Sequence, residues 1–234
     1  MLEKDLAPSR QRAKALIMAG KVLVDGVAMD KPGTSVSIHA DIRIKGEDLA
    51  YVSRGGLKLE GALEVLKISV QDLVCLDIGA STGGFTDCLL QHGAAKVYAV
   101  DVGYGQLAWR LRQDDRVVVI ERTNIRHMPV DRIPEAADLA TIDVSFISLR
   151  IVVPAVLKFL KPGGQILALI KPQFEVGKGK VGKGGVVRDA GLRESVISGL
   201  IECFRQLGLA CGPVIPSSIL GPKGNQEYIL PLTI

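Results

Sequence analysis

Aromatic side chains are scarce: five Phe, four Tyr and one Trp make up 4% of 234 residues. A core at this length must therefore rest on Val, Ile, Leu and Ala. Cysteine and histidine are also few. Cys75, Cys88, Cys203 and Cys211 form no C-x-x-C pair, and there are three histidines. This supplies no zinc-like ligand set, so no metal is expected. Cys75 lies in an apolar run and reads as a small core residue, while His92 and His127 read as surface or capping residues. Long apolar runs are missing too. The stretch at 151–157 contains Pro154 and gives way to Lys158 and Lys161, far short of the roughly 20 residues of a membrane span. No signal-peptide pattern opens the chain, so a reducing cytoplasm is the expected location. A large excess of one charge is also absent: 29 basic against 25 acidic residues leave +4. That fits a nucleic-acid partner without demanding one.

What is present falls into two textures. Residues 1–48 read as a small α+β module. Ser9 is a good N-cap for a helix over 10–19, stopped by Gly20. Ala13, Leu16 and Ile17 share one face. Asp25-Gly26 between apolar runs at 22–24 and 27–29 signals a hairpin. Pro32-Gly33 is another turn, and 36–38 and 42–44 alternate like short strands. Residues 49–58 form a linker and the start of a second domain over 59–234. Its apolar stretch Leu49-Ala50-Tyr51-Val52 suggests domains that dock. From residue 74 strands and helices alternate. Strands are expected at 74–78, 96–100, 117–120, 139–142, 165–170 and 228–232, with helices at 86–92, 106–113, 148–159 and 192–207. Near-continuous apolar strands alternating with helices imply an α/β domain with a parallel sheet covered on both faces. Trp109, between Leu107 and Leu111 on the second of these helices, reads as core packing.

Leu76-Asp77-Ile78-Gly79-Ala80-Ser81-Thr82-Gly83-Gly84-Phe85 ends a strand and opens a helix. Glycine there permits a sharp turn and close approach of a ligand. Asp101 closes the next strand at close to the spacing of a ribose-binding carboxylate. Ser81 replaces the second glycine of the dinucleotide fingerprint. Asp77 before the turn disfavours a pyrophosphate and suits a cationic cofactor. S-adenosylmethionine is therefore favoured over NAD. The expected cofactor residues are Asp77, Gly79, Ser81, Gly83, Gly84, Phe85, Asp101, Asn124 and Asp143. For Phe85 core packing is the commoner role, and Asn124 reads equally well as a turn residue.

Gly177-Lys178-Gly179-Lys180-Val181-Gly182-Lys183-Gly184 nearly matches a P-loop, but Gly184 stands where Ser or Thr must hold magnesium. It reads instead as a basic loop whose Lys178, Lys180 and Lys183, with Arg188, can meet RNA phosphates. Arg10, Arg12 and Lys14 on the first helix are candidates for the same task.

The cofactor stretch resembles that of the FtsJ-like RNA 2′-O-methyltransferases. Tyr51-Val52-Ser53-Arg54-Gly55-Gly56-Leu57-Lys58-Leu59 and Ile170-Lys171-Pro172-Gln173-Phe174-Glu175 narrow the resemblance to the TlyA group, often labelled hemolysin. Ala7-Pro8-Ser9-Arg10 through Val24-Asp25-Gly26 resembles an S4 RNA-binding domain. S4 domains of this group begin several residues earlier, with a basic first helix, whereas this chain starts inside that helix at Met1, so either a trimmed module or a misassigned start is expected. The resemblance implies a Rossmann-like methyltransferase domain behind an S4-like domain. It further implies transfer to cytidine 2′-hydroxyls of ribosomal RNA and a Lys-Asp-Lys-Glu set at Lys58, Asp143, Lys171 and Glu227. For Asp143 and Lys171 the residues agree independently, since each follows an apolar strand at its carboxyl end. Lys171 would act on the 2′-hydroxyl as base or orienter, with Lys58 as a nearby cation, Asp143 holding Lys171, and Glu227 orienting the lysines. The expected partner is ribosomal RNA or a ribosomal subunit, with a monomer or weak oligomer and no membrane. The competing readings are a non-catalytic RNA-binding protein, a membrane-active hemolysin and an NAD-dependent oxidoreductase. The intact glycine turn with Asp101, the lack of an amphipathic membrane helix, and Ser81 with Asp77 weigh against them in turn.

Overall fold

In the computed structural model residues 1–234 are described, apart from Glu3, Asp5, Pro8, 46–49, Lys178, Lys180, Lys183 and the side chain of Pro222. The chain divides into two units, Met1–Leu49 and Ala50–Ile234.

In the first unit, α1 (Arg10–Met18) begins where the Ser9 side chain accepts from the Arg12 N–H at 3.1 Å. β1 (Val22–Val24) and β2 (Val27–Met29) form a hairpin. Its two turn residues, Asp25 and Gly26, both have positive φ, the twist a two-residue hairpin needs. β3 (Ile42–Ile44) pairs antiparallel with the other edge of β1. Ala7, Ala13, Leu16 and Val22 make the small core. The strand expected at 36–38 does not form. Both edges of β1 are already taken, and the segment turns back on itself, with the Ala40 N–H donating to the Ser37 carbonyl. Ile38 is left 75% exposed.

The second unit opens with α2 (Gly55–Leu66), a helix the sequence pattern did not announce. It then alternates through β4 (Val74–Ile78), α3 (Gly84–Gln91), β5 (Lys96–Val100), α4 (Trp109–Arg112), β6 (Val117–Ile120), β7 (Ala137–Ile142), α5 (Leu149–Val156) and β8 (Leu160–Ile170). After these come α6 (Pro172–Glu175), α7 (Ala190–Gln206), β9 (Ala210–Cys211), β10 (Ile215–Pro216) and β11 (Tyr228–Thr233). The sheet order is β10-β11-β8-β7-β4-β5-β6, with β9 also on β11. From β8 to β6 all pairings are parallel, whereas β11 is antiparallel to β8. The expected parallel sheet runs from β8 to β6, and the expected last strand, β11, adds to one edge antiparallel. The chain leaves β4 for β5 and β6, then returns to β7 on the other side of β4. That reversal is the switch point at which open α/β sheets carry a ligand crevice.

Strand alternation splits the core into two faces. Leu76, Ile78, Tyr98 and Val100 pack with α5 and α7, whereas Cys75, Val97 and Ala99 pack with α2 and α3. α4 is only one turn long. Gly105 precedes it, and Ala108 is extended and donates its N–H to the Thr82 carbonyl. Leu107 and Leu111 enter the core while Trp109 faces outward, 62% exposed, which corrects its reading as a core residue. No helix among the described residues is long and apolar enough to cross a membrane.

Candidate active site

A cavity of about 490 Å³ lies at the carboxyl ends of β4, β5 and β7. Ile78, Gly79, Ser81, Val100, Asp101, Asn124 and Asp143 contribute to its lining, along with apolar Ile125, Ile147 and Val152. Gly79 has φ +84°, and a Cβ there would sit 2.5 Å from the Asp143 carbonyl oxygen. Only glycine lets β4 turn this close to β7. Asp101 is fixed by backbone: its two carboxylate oxygens accept from the Ser81 N–H at 2.8 Å and the Gly103 N–H at 2.6 Å. Each oxygen keeps a lone pair for a hydroxyl. Asn124 lines the cavity, and its side-chain oxygen accepts from the Arg126 N–H at 3.1 Å, as a turn residue does.

Four expected cofactor residues stand elsewhere. Asp77 points to the other face of β4, fully buried, and accepts from Thr86 Oγ1 at 2.7 Å and Thr141 Oγ1 at 3.0 Å. Its register partner on β7 is that same Thr141. Burial pushes the Asp77 carboxyl up to about 6, with the two hydroxyls limiting the rise. Its charge is therefore committed beneath the turn and does not line the cavity. Phe85 is core. A Cβ on Gly83 would run into Leu111 and Leu107, and one on Gly84 into Ser53. These two glycines let the start of α3 pack tightly, and neither lines the cavity.

On the other side of Asp143 the sheet register assembles the charged set. Tyr228 pairs with Ile170, which puts Glu227 across from Lys171, one step beyond the last pair. Lys171 Nζ lies 2.6 Å from Asp143 Oδ1 and donates to Ser145 Oγ at 3.0 Å. Lys58 Nζ lies 2.6 Å from Glu227 Oε2 with both side chains buried. Gln173 Nε2 makes a long 3.5 Å contact to the other Glu227 oxygen, and a Cβ on Gly221 would collide with that carboxylate. The four charges thus form two ion pairs, one opening on the cavity and one sealed behind it.

Ser145, Phe146 and Glu175 also belong to the site, and no local sequence pattern marks them. Phe146 is 89% exposed with φ +64°, and its ring centroid is 4.8 Å from that of Phe174. A bulky residue in the left-handed region is uncommon, and such strain gathers at functional sites. Arg10, Arg12, Lys14 and Arg188 are exposed. Lys178, Lys180 and Lys183 lie outside the described residues.

The FtsJ-like methyltransferase family model matches residues 51–233, and the S4 domain model matches residues 1–42. Among curated proteins, the chain is 49% identical to the 16S/23S rRNA (cytidine-2′-O)-methyltransferase TlyA of Mycobacterium tuberculosis, covering 98% of this chain and 86% of that protein. It is 44% identical to Hemolysin A of Brachyspira hyodysenteriae, covering 94% and 92%. Among solved structures it is similar to a hemolysin-named protein of Streptococcus thermophilus, with TM-score 0.79, 47% identity, and coverage of 97% of this chain and 84% of that one.

Proposed function

The chain belongs to the FtsJ-like methyltransferase family and carries an S4 domain, and from this we propose that it is an S-adenosylmethionine-dependent methyltransferase acting on cytidine 2′-hydroxyls of ribosomal RNA. The observation that carries the reading is the adjacency of the crevice to the Lys171–Asp143 pair, which shares Asp143 with its wall. The donor set fits the cofactor. Asp101, held by two backbone amides, offers acceptors to ribose hydroxyls. The apolar wall at Ile125 and Val102 suits a purine, and the Asp143 carboxylate suits a nearby cation. When bound, S-adenosylmethionine supplies an electrophilic methyl group.

The chain's own task is to present the acceptor oxygen. Lys171 spends contacts on Asp143 and Ser145, which fix its nitrogen in space, and the remaining position on that nitrogen serves a 2′-hydroxyl. The buried Lys58–Glu227 pair stiffens the floor on which Lys171 stands. Phe146 offers an exposed ring at the cavity rim for the target base. Arg10, Arg12 and Lys14 on the S4 module and Arg188 with its lysine-rich loop supply phosphate contacts.

The test is methyl transfer from radiolabelled S-adenosylmethionine to unmodified ribosomal subunits, with mapping of 2′-O-methyl sites. Incorporation that vanishes in Lys171→Ala, while calorimetry shows cofactor binding retained, supports the reading. Cofactor binding without incorporation removes ribosomal RNA as the substrate. No cofactor binding removes the methyltransferase reading altogether.

A further inference from the structure

Residues 143–149 are fastened to residues 171–175 at both ends. At the near end Lys171 engages Asp143 and Ser145, and in the middle Phe146 packs on Phe174. At the far end Glu175, the last residue of α6, accepts from Ser148 Oγ at 2.6 Å and from the Leu149 N–H at 2.8 Å. Ser148 is already the N-cap of α5, its hydroxyl oxygen accepting from the Arg150 N–H at 3.2 Å. The helix therefore has its usual cap before Glu175 is counted. Using a carboxylate here is costly, because burial raises the pKa of Glu175 above its ordinary range, offset by the two donors and nearby Arg150. The outcome is a loop pinned at both ends, with Phe146 held in a strained conformation between the pins.

We propose that Glu175 is a positioning residue for methyl transfer, clamping Ser148 and Leu149 so that Ser145 stays on Lys171 and Phe146 stays at the cavity rim. The inference rests on the methyltransferase reading above. Residues 144–147 line the cavity, so freeing their far end loosens the wall and moves the hydroxyl that steadies the Lys171 nitrogen. Displacements on the order of 1 Å at such a wall cost about a hundredfold in rate.

The experiment compares parent, Glu175→Ala and Glu175→Gln by amide hydrogen exchange at Leu149 and by steady-state methylation of ribosomal subunits. In Glu175→Ala the Leu149 amide is expected to exchange at least about tenfold faster. Its kcat is expected to fall about 10- to 100-fold, with KM for the subunit changed much less. Glu175→Gln keeps an acceptor for Leu149 and can meet Ser148 through its amide, so kcat is expected to recover to within about threefold of parent. Unchanged Leu149 exchange in Glu175→Ala overturns the clamp. Faster exchange with unchanged kcat overturns the positioning role. Equal loss of kcat in both variants also overturns it, because the charge and not the clamp would then matter. If Glu175→Ala does not fold, Glu175→Asp, one methylene too short to span both donors, is read against the same outcomes. Hydrogen exchange needs neither cofactor nor RNA, so a parent protein that transfers no methyl group defeats the functional reading, and the Leu149 amide still decides the clamp.

Discussion

On the cofactor side of the site, one strand-to-helix turn and one carboxylate do the positioning. Asp101 is gripped by amides 20 and 2 residues away, and Gly79 turns where its own strand ends. On the acceptor side, the order comes from contacts that span the chain. Lys58 meets Glu227 across 169 residues, and Lys171 meets Ser145 across 26. The first half is a local device that survives wherever the βα unit survives. The second exists only when α2, β7, β8 and β11 are all in register, so it links chemistry to the global fold. Changes to the ion-paired residues of the acceptor side should therefore affect stability and activity together, while changes on the cofactor side should separate them.

The sharpest test of that contrast is the sealed pair. Glu227→Ala leaves a buried ammonium without its partner, which costs about 3–5 kcal/mol and lowers Tm by roughly 10 °C in calorimetry. Lys58→Met with Glu227→Leu should recover most of that loss and still fail in methyl transfer. Recovery of activity in the double variant would break the contrast. Asp77 gives the next largest effect. Its folded carboxyl titrates near 6 against an ordinary value near 4, so the folded state holds the proton more tightly than the unfolded chain. Its burial cost is absent below pH 4 and appears as pH rises through 6, reaching about 3 kcal/mol at neutral pH. Asp77→Asn should remove this falling slope from a plot of stability against pH between 4 and 7. An unchanged slope would assign the titration to another group.

That division also explains what could be read beforehand. The strands at 74–78, 96–100 and 117–120 coincide with β4, β5 and β6 because each is a short, nearly continuous apolar run, as parallel strands of an α/β sheet are, and the place of Asp101 at the end of β5 follows from its spacing after Gly79. α2 was hidden because Gly55, Gly56 and Gly61 are poor helix formers. The helix is stabilised by burying Leu59, Ala62 and Leu63 and by close packing on α3, which no local pattern reports. Lys58 and Glu227 needed the family resemblance for the same reason: their pairing depends on where β11 lands beside β8. The sequence does not place Asp77 on either face, because a carboxylate before a glycine turn gives no sign of which side of the strand it occupies, and Thr86 and Thr141 decide that only once the sheet is formed.

Two smaller effects test the cofactor half and the rim. Asp101→Ala removes an acceptor for ribose hydroxyls and the anchor of the Ser81 and Gly103 amides. It should weaken S-adenosylmethionine binding about 10- to 100-fold by calorimetry, the loss of one or two charge-assisted hydrogen bonds, while Tm moves by only a few degrees. A Tm drop as large as that of Glu227→Ala would mean the cofactor half is not local after all.

Phe146→Ala should have the smallest and most selective effect. Phe146 is 89% exposed, so its loss removes little buried area, and alanine inherits the same left-handed backbone strain. Stability should hold within about 0.5 kcal/mol, as for ordinary surface positions, and cofactor binding should be unchanged. Stacking of one base on an aromatic ring contributes about 1–3 kcal/mol, so methylation of the subunit should fall at least about fivefold. Phe146→Trp should keep most of the activity, since it retains a larger stacking face. If Phe146→Ala instead lowers Tm and leaves methylation intact, the ring is a packing partner of Phe174 only, and another group must hold the target base.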